Sequence, residues 1–251
     1  MVKWISHRGE SVDAPENTLP AFKLALERNT DGFETDIHLT ADKVLVCCHD
    51  SDTWRTCQGV SRIIEESNWD DIKDLDASSA HLGYDSTGIP RFADSLKYLG
   101  KGKTYFIEIK DNDYEVMDIM LKEVDEAGIA REQIVMISFH AEVVRSYKKK
   151  YPEMEAYWLT SFGSEEDKTY AEKSEDAIKI AKDVNADGVD LFLPPHAISK
   201  EFVQRFHDAG LKCAVWTVDQ CTSAKKWADA GVDAVTSNCA AKVKAWVESH
   251  R

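Results

Sequence analysis

Two carboxylates stand two positions apart in an apolar stretch of the chain. Glu34 and Asp36 lie within residues 33–39, and side chains two apart on a strand share one face. Carboxylates crowded on one face repel each other unless a positive group lies between them, and Mg²⁺ or Ca²⁺ takes oxygen ligands of this kind. An isolated Glu-x-Asp pair more often indicates a strand with one solvated face, so the surrounding sequence must decide between these interpretations.

The elements that position this pair follow from an alternation of short apolar runs with helical periodicity. From residue 91 onward, runs of about five residues alternate with helices of ten or more, which predicts parallel strands joined by right-handed crossovers. The chain of 251 residues matches the ~250 residues of one (β/α)₈ barrel. We predict eight barrel strands at residues 2–6, 31–38, 104–109, 134–138, 154–159, 188–191, 211–218 and 232–236.

One segment departs from this alternation. Residues 51–90 are polar and rich in turn-forming residues, with no long periodic run. A loop of this length is usually functional or carries small elements of its own. We therefore predict a single α/β catalytic domain over residues 1–251, a (β/α)₈ TIM barrel with an inserted subdomain at 51–90 after the second strand region.

Other polar side chains follow separate apolar runs, each where the run ends: His7, Arg8, His49, Glu108 and Lys110. Active sites of α/β barrels lie at the carboxyl ends of the strands. These five side chains and the Glu34/Asp36 pair are therefore expected to converge on one mouth of the barrel.

The overall charge limits the class of partner. The formal net charge is −14, whereas nucleic-acid binding requires a surface rich in Lys and Arg. We expect no nucleic-acid partner, and any phosphate bound here must meet a local positive site on an acidic protein.

Taken together, these residues resemble the motifs of a known family, the glycerophosphodiester phosphodiesterases. The resemblance spans nearly the whole chain, and the order and spacing of its motifs are specific. The motifs are His7-Arg8-Gly9, Pro15-Glu16-Asn17-Thr18, Glu34-Thr35-Asp36-Ile37, His49-Asp50, Glu108-Ile109-Lys110 and Trp216-Thr217-Val218. The family also carries a small inserted subdomain where residues 51–90 stand here.

The resemblance implies metal-dependent hydrolysis of a small-molecule glycerophosphodiester to glycerol 3-phosphate and an alcohol. Glu34, Asp36 and Glu108 suit an oxygen-rich Mg²⁺ or Ca²⁺ site. His7 and His49 suit a general acid and general base pair, with their individual roles left open.

The same resemblance implies a binding role for four further residues. Arg8 and Lys110 would bind the phosphodiester and offset its developing charge. Phe139 and Trp216 would wall the glycerol or head-group pocket, although a barrel also buries aromatic side chains for packing. The nucleophile could be water or a neighbouring hydroxyl of the substrate, which would pass through a cyclic phosphate.

Several residues also have plain structural interpretations. His7 alone could be a strand-end histidine, and Glu108 and Lys110 could form an ion pair at the rim. Asn17 or Thr18 can cap the following helix, and we interpret Asn17 as a cap rather than a ligand and His38 as structural.

Two alternatives and two departures from the family pattern stay open. The alternatives are a phosphodiesterase that releases a cyclic phosphate from a lysophospholipid, which needs an apolar mouth, and a barrel that binds phosphodiesters without turnover. The departures are Asp219, where the family often has Asn, and residues 236–239, where it often has Thr-Asp and then Pro. Both departures lie at the rim and are expected to affect head-group preference.

The compartment is predicted from cysteine use and the N-terminus. Six cysteines without a C-x-x-C motif favour free thiols in a reducing compartment. No signal-peptide core or membrane-spanning run stands in the sequence. We expect a cytoplasmic protein with no integral membrane segment; secretion or a periplasmic location stays open if a leader has been removed. The oligomeric state is not predicted.

Overall fold

Strands and helices alternate along the chain in the computed structural model, which describes residues 1–78, 81, 83–84, 86–110, 114–163 and 168–250. The strands are β1 (Lys3–Ser6), β2 (Gly32–Leu39), β3 (Leu45–Cys47), β4 (Thr104–Ile109), β5 (Ile134–Ser138), β6 (Glu155–Ser161), β7 (Gly188–Phe192), β8 (Lys212–Val215) and β9 (Ala234–Ser237). They form one sheet in the order β1-β9-β8-β7-β6-β5-β4-β2-β3, and β1 also pairs with β2. All of these pairings are parallel except β2–β3, so the eight parallel strands close into a barrel.

Helices follow the barrel strands as the periodicity predicts. They are α1 (Leu19–Glu27), α2 (Trp69–Ile72), α3 (Phe92–Leu96), α4 (Glu115–Glu126), α5 (Ala141–Lys150), α6 (Tyr170–Asp183), α7 (Lys200–Asp208), α8 (Cys221–Ala230) and α9 (Ala240–Ser249). The predicted (β/α)₈ barrel is confirmed. Within the part of the chain that the structure describes, no helix combines the length and apolar character that crossing a bilayer requires.

The core divides into two layers because successive strand side chains point to opposite faces of the sheet. One layer lies between the sheet and the helices and holds most of the buried apolar side chains. The other layer fills the barrel interior with Ile5, Phe106, Val135, Ile137, Tyr157, Leu159, Ala214 and Ala234. The interior is therefore packed with side chains, and a ligand can bind only at its open end.

Strand β2 shares one edge between two partners. Its first residues, Gly32 and Phe33, pair with β1, while its last three residues pair with β3, which runs back antiparallel. The middle of this edge, which includes Glu34 and Asp36, faces the loop after β1. The hairpin also returns the chain to the level of Asp36, whose carbonyl oxygen accepts a 3.1 Å hydrogen bond from the Cys48 amide.

Some predicted boundaries are wrong. The strand predicted over 211–218 ends at Val215, because the Trp216 amide bonds to Leu191 and the Val218 amide bonds to Thr236 instead of continuing one ladder. The first helix after residue 91 is also shorter than the ten or more residues expected, because it ends at Leu96 and the chain turns through a short segment before β4.

Residues 51–90 carry small elements and share an apolar cluster with the end of the β2–β3 hairpin. A 3₁₀ turn (Ile64–Glu66) and α2 lie in this segment. Its cluster contains Val46, Cys48, Cys57, Ile64, Ile72, Ala77 and Ile89, all buried. Residues 79, 80, 82 and 85 of the predicted insertion lie outside the described part of the chain.

Candidate active site

The three predicted metal-binding carboxylates converge. Asp36 on β2 is the direct register partner of Glu108 on β4, and Glu34 lies two residues before Asp36 on the same face. One oxygen from each of the three lies within 4.8 Å of the others, and all three residues are buried. Pairing of two adjacent parallel strands therefore produces a compact set of oxygen donors.

Crowding of these buried carboxylates separates their pKa values. Burial raises the pKa of Glu34 well above its ordinary value, and the nearby Asp36 charge raises it further. Burial and Asp36 likewise raise the pKa of Glu108 to about 7. Burial also opposes ionisation of Asp36, but the charges of Lys110 and Arg8 outweigh it and lower that pKa. The cluster thus concentrates negative charge that a cation would stabilise.

Two side chains of the protein already place positive charge against this cluster. The Lys110 Nζ lies 3.0 Å from Asp36 Oδ1 and 2.9 Å from Glu108 Oε1. The Arg8 Nε lies 3.3 Å from Asp36 Oδ2, and its Nη1 donates a 2.8 Å hydrogen bond to Glu16. Both predicted phosphate-binding residues therefore lie beside the predicted metal ligands.

The loop after β1 reaches the open edge of β2 through backbone that is left-handed. Arg8 has a φ of 56° and Gly9 a φ of 80°, and the Arg8 amide donates a 2.9 Å hydrogen bond to Glu34 Oε2. A Cβ at Gly9 would lie 2.5 Å from the Ala21 Cβ. Only glycine therefore fits between this turn and α1.

Asn17 is not a helix cap, and this prediction is wrong. Thr18 occupies the capping position of α1 without a side-chain capping bond. Asn17 instead adopts a φ of 54° and donates a 2.8 Å hydrogen bond from Nδ2 to Asp36 Oδ2. Its Oδ1 accepts bonds from the Thr35 hydroxyl at 2.6 Å and the Asp36 amide at 3.3 Å. The amide side chain therefore supports a predicted metal ligand.

His7 is oriented by the two positions that depart from the family pattern. Its Nδ1 lies 2.7 Å from Asn238 Oδ1, and Asn238 donates from Nδ2 to Asp219 Oδ2 at 2.7 Å. A carboxylate only accepts, so Asp219 fixes the Asn238 amide with its oxygen toward His7. Consequently Nδ1 of His7 is the donor and Nε2 carries the lone pair, 3.9 Å from Glu34. Burial, with help from the Arg8 charge, lowers the pKa of His7 to about 4.

His49 is oriented by a chain of charged groups that reaches into the 51–90 segment. Its Nδ1 lies 2.6 Å from Asp50 Oδ1, and Asp50 Oδ2 accepts a 2.6 Å bond from Arg55. Arg55 also donates two 2.8 Å bonds to Glu16, which is the residue that Arg8 contacts. Burial lowers the pKa of His49, although Asp36 opposes this. In both histidines Nδ1 is therefore bound to an oxygen of the protein, which leaves Nε2 as the ring nitrogen available to a ligand.

A cavity of about 30 Å³ brings most of these residues together. Its lining consists of His7, Arg8, Glu34, His49, Glu108, Ile137, Phe139, Leu159, Asp190, Trp216 and Thr236. Asp36 and Lys110 lie behind this lining, in contact with Glu108 or with each other. The two histidines thus face one cavity rather than opposite ends of the barrel.

Aromatic side chains surround the entrance. Phe139 packs edge-to-face on Trp216 with ring centroids 5.7 Å apart, and Phe192 lies 5.4 Å from Trp216 on another side. Phe139 and Phe192 are each more than 40% exposed. A second, largely apolar cavity of about 570 Å³ shares Trp216 and is lined by residues that follow β6, β7 and β8.

Sequence reasoning did not select several residues of this site: Asn17, Asp50, Arg55, Asp190, Phe192, Thr236 and Asn238. Asp50 and Asn17 stand within the quoted motifs, so those motifs were the available signal. Asp190 also offered a signal, since an acidic residue interrupts the apolar strand 188–191. The contacts of Arg55 and Asn238 with the site are tertiary, and no local sequence pattern indicates them.

These features define a (β/α)₈ barrel enzyme with an acidic site, flanked by two histidines, at the carboxyl ends of its strands. The sequence identifies the family within this class of enzymes, because residues 7–242 match the glycerophosphoryl diester phosphodiesterase family. The chain belongs to this family, and the predicted class of enzyme, a phosphoric diester hydrolase, is confirmed.

Relatives and solved structures agree with this assignment. The glycerophosphodiester phosphodiesterase of Caldanaerobacter subterraneus subsp. tengcongensis is 29% identical over 241 residues, covering 93% of each chain. A phosphodiesterase of Oleispira antarctica, solved with the product sn-glycerol-3-phosphate, shares the fold with a TM-score of 0.82 and 23% identity; the match covers 97% of this chain and 96% of that one. An Agrobacterium tumefaciens glycerophosphodiester phosphodiesterase has a TM-score of 0.80 at 23% identity, covering 98% and 100%.

Proposed function

We propose that the protein hydrolyses glycerophosphodiesters, such as glycerophosphocholine or glycerophosphoethanolamine, to glycerol 3-phosphate and an alcohol in a reaction that needs Mg²⁺ or Ca²⁺. The observation that carries this proposal is the placement of three buried carboxylates and two oriented imidazoles around one cavity. The product bound in the Oleispira antarctica relative supports the same small-molecule substrate class.

Glu34, Asp36 and Glu108 would hold the metal ion. Their oxygens lie close enough to share one cation, and oxygen donors of this type suit hard divalent ions. The ion would polarise a phosphoryl oxygen and neutralise charge as the phosphorus is attacked. The raised pKa values of Glu34 and Glu108 fit this assignment, because burial first and the Asp36 charge second disfavour the ionised carboxylates, which a bound cation would stabilise.

His7 and His49 would transfer the protons. Each imidazole is held through Nδ1, so Nε2 is the atom that can accept or donate a proton in the cavity. One would withdraw a proton from the nucleophile, and the other would protonate the departing alkoxide. His49 contacts a carboxylate while His7 contacts an amide, and this difference in partner supports unlike roles for the two.

Arg8 and Lys110 would bind the phosphodiester oxygens. Both lie against Asp36 and about 80–90% of each side chain is buried, so their charge is only weakly screened by solvent. They would stabilise the additional negative charge of the transition state. Phe139 and Trp216 would enclose the organic part of the substrate at the entrance, with Phe192 as a further wall.

Residues 51–90 would form a subdomain that supports the site from outside the barrel. Its apolar cluster also includes Val46 of β3 and Cys48, so this core attaches the segment to the β2–β3 hairpin. Arg55 extends from this segment to Asp50 and Glu16, which connects the segment to both predicted catalytic regions.

Product analysis with defined metals tests the proposal. Purified protein with glycerophosphocholine and Mg²⁺ or Ca²⁺ should release glycerol 3-phosphate and choline, and EDTA should stop the release. His7→Ala and His49→Ala should each nearly abolish turnover while calorimetry still detects metal binding. Activity of either variant within a few-fold of wild type, or turnover unaffected by EDTA, would contradict the assignment.

One observation favours a second candidate, cleavage of a lysophospholipid with release of a cyclic phosphate. That reaction needs an apolar mouth for an acyl chain, and the 570 Å³ cavity beside Trp216 is lined mainly by apolar side chains. Phosphorus NMR of reactions with lysophosphatidylcholine would reveal a cyclic product. Exclusive release of glycerol 3-phosphate from glycerophosphocholine would reject this candidate.

A further inference from the structure

The cavity has a polar wall that the proposed chemistry does not use. Asp190 on β7 and Thr236 on β9 both line it, with exposed fractions of 1% and 2%. Among the described residues, neither Asp190 Oδ1 nor Thr236 Oγ1 has a hydrogen-bond partner. Buried polar groups without partners are costly and rare in folded proteins, so two facing one cavity require an explanation.

The sheet explains why the protein itself does not satisfy these groups. Asp190 is the register partner of Ala214 on β8, and Ala214 in turn pairs with Ala234 on β9. Ala214 therefore stands on the strand between β7 and β9, and Ala234 stands two residues before Thr236 on the same face of β9. Neither alanine side chain can form a hydrogen bond. The Trp216 indole donates to the backbone oxygen of Asp190 at 3.3 Å and leaves its carboxyl group free.

Asp190 does not belong to the metal cluster. Among the described residues, the group whose ligand atoms lie within 4.8 Å of one another contains Glu34, Asp36 and Glu108 and omits Asp190. Burial raises the pKa of Asp190 to about 8, and the nearby charge of Glu108 adds to this rise. Asp190 therefore lies beside the metal-binding carboxylates and faces the same cavity from a different strand.

The size of the cavity selects the kind of group that fits. A volume of about 30 Å³ has room for roughly two water molecules. At the wall formed by Asp190 and Thr236, a small polar group such as a hydroxymethyl group suits this space better than a bulky trimethylammonium group, which has no hydrogen-bonding hydrogen or lone pair to offer. A hydroxyl both donates and accepts, so it can pair with a carboxyl group in either protonation state and with a threonine hydroxyl.

We propose that Asp190 and Thr236 form a polyol subsite that binds a hydroxyl of the substrate's glycerol moiety and selects it over an alkyl group. This inference rests on the proposed function, because it places the glycerol side of the diester at β7 and β9. The larger, apolar-lined entrance then remains for the alcohol that leaves. Neither residue is assigned a part in bond cleavage; both determine specificity.

The selectivity follows from the cost of leaving both groups unpaired. A ligand without hydroxyls would displace water from the wall and return no hydrogen bond. Leaving a buried polar group unpaired costs about 1–3 kcal/mol, which corresponds to about a 10- to 100-fold preference for a hydroxyl-bearing ligand. Larger ratios are known where a site is built around a substrate hydroxyl.

Direct binding tests this without requiring turnover. Calorimetry would compare glycerol 3-phosphate with n-propyl phosphate, which carries the same phosphate but no hydroxyl, in the presence and absence of Mg²⁺. Wild type should prefer glycerol 3-phosphate by at least 10-fold. Asp190→Leu and Thr236→Val should each remove most of this preference by weakening glycerol 3-phosphate alone. Asp190→Asn, which keeps hydrogen-bonding capacity, should retain an intermediate preference.

Matched controls separate a binding role from a structural one. Tyr147→Phe removes a buried hydroxyl that also has no partner among the described residues but lies on α5, and it should leave both affinities unchanged. Asp190→Leu should also raise the melting temperature, since it replaces an unpaired buried carboxyl with an apolar group. If Asp190→Leu fails to fold, Thr236→Val and Asp190→Asn provide the same comparison.

Three outcomes would overturn the subsite: no preference in wild type, equal weakening of both phosphates in the variants, or weakening of phosphocholine in place of glycerol 3-phosphate. The proposed function is judged separately by turnover of glycerophosphocholine in wild type. A protein that shows the hydroxyl preference without turnover would retain the subsite and lose the proposed reaction.

Discussion

Removal of the Asp219 carboxylate should disable His7 although the two side chains are not in contact. Asp219 accepts hydrogen bonds from the Asn238 amide at 2.8 Å, from Asn238 Nδ2 at 2.7 Å and from the Ser237 hydroxyl at 2.9 Å. The Nδ2 bond to a carboxylate, which cannot donate, fixes which end of the Asn238 side-chain amide faces His7. The Ser11 hydroxyl donates to Asn238 Oδ1 at 3.0 Å in this orientation, but a hydroxyl can also accept and so does not fix the amide by itself. In Asp219→Ala the amide can rotate and present its NH₂ group to Nδ1, which would move the imidazole proton to Nε2.

The magnitude follows from that single bond. Hydrogen bonds to charged groups contribute about 1.5–3 kcal/mol when protected, and the exposed position of Asp219 reduces this to about 1–2 kcal/mol. The fraction of His7 in the competent tautomer, and with it kcat/KM, should fall about 5- to 30-fold. Loss of the correct histidine tautomer is an established way to lose catalysis with the geometry intact.

Steady-state kinetics and NMR together test this prediction. We expect kcat/KM for glycerophosphocholine to fall while the affinity for Mg²⁺ is unchanged, and ¹⁵N shifts of the His7 ring should report the altered tautomer. Asp219→Asn can still offer one carbonyl oxygen to Asn238 and should recover part of the activity. Asp229→Ala removes an exposed carboxylate of α8 that pairs with Lys225, and it serves as the matched control. An Asp219→Ala variant within twofold of wild type, or one with reduced activity and an unchanged tautomer, would refute the reasoning.

Two further predictions concern groups outside the cavity. Arg55→Met should lower kcat about 3- to 10-fold with little change in KM, because the Arg55–Asp50 ion pair holds Asp50 against His49. Half-exposed ion pairs of this kind contribute up to about 1 kcal/mol each. Arg62→Met, in the same segment, should have no effect. Glu123 on α4 has a pKa raised to about 7, mainly by burial, so its folded state resists ionisation. The protein should therefore lose stability as the pH rises from about 4.5 to 7, and Glu123→Gln should be more stable by about 1–3 kcal/mol at pH 8 but not at pH 4.

Both predictions have clear contradicting results. Equal kinetic losses in the two arginine variants would indicate a general effect of charge in residues 51–90 rather than support of His49. Urea denaturation at several pH values would measure the second prediction. A stability difference between wild type and Glu123→Gln that does not change with pH would show that the Glu123 carboxyl titrates normally in the folded protein.

The repetitive part of the fold could be predicted from sequence because hydrophobic period and strand position are local properties. Eight apolar runs alternating with helical periodicity were sufficient to predict the barrel. Polar residues at the ends of the first few runs were sufficient to expect the carboxylates, imidazoles and cations at one end. Their predicted catalytic and metal-binding roles stay predictions until tested. The strand ends were less predictable, as at Val215, because the last hydrogen bonds of a parallel strand depend on two neighbours that are distant in sequence.

The supporting residues of the site could not be predicted because their chemistry allows more than one role. Asn17 precedes a helix, where an amide side chain usually caps, and only the open edge of β2 directs it to Asp36 instead. Asp219 and Asn238 were expected to affect head-group preference, yet Asp219 holds the Asn238 side chain and Asn238 in turn contacts His7. Asp190 interrupts an apolar strand, but its side chain faces the cavity only because the barrel closes, and the sequence of the strand alone does not indicate this.

The β2–β3 hairpin fixes the distances from the Glu34 and Asp36 carboxylates to the His49 imidazole. Glu34 and Asp36 belong to one strand, and the returning strand delivers His49 within three residues of the ladder. Any shift of the hairpin carries carboxylates and imidazole as one rigid piece, whereas the segment beyond Asp50 can lengthen, shorten or exchange its surface independently. Substitutions in residues 51–90 can thus change the surface near the entrance. The spacing between the predicted metal ligands and His49 is meanwhile held by the hydrogen bonds between β2 and β3.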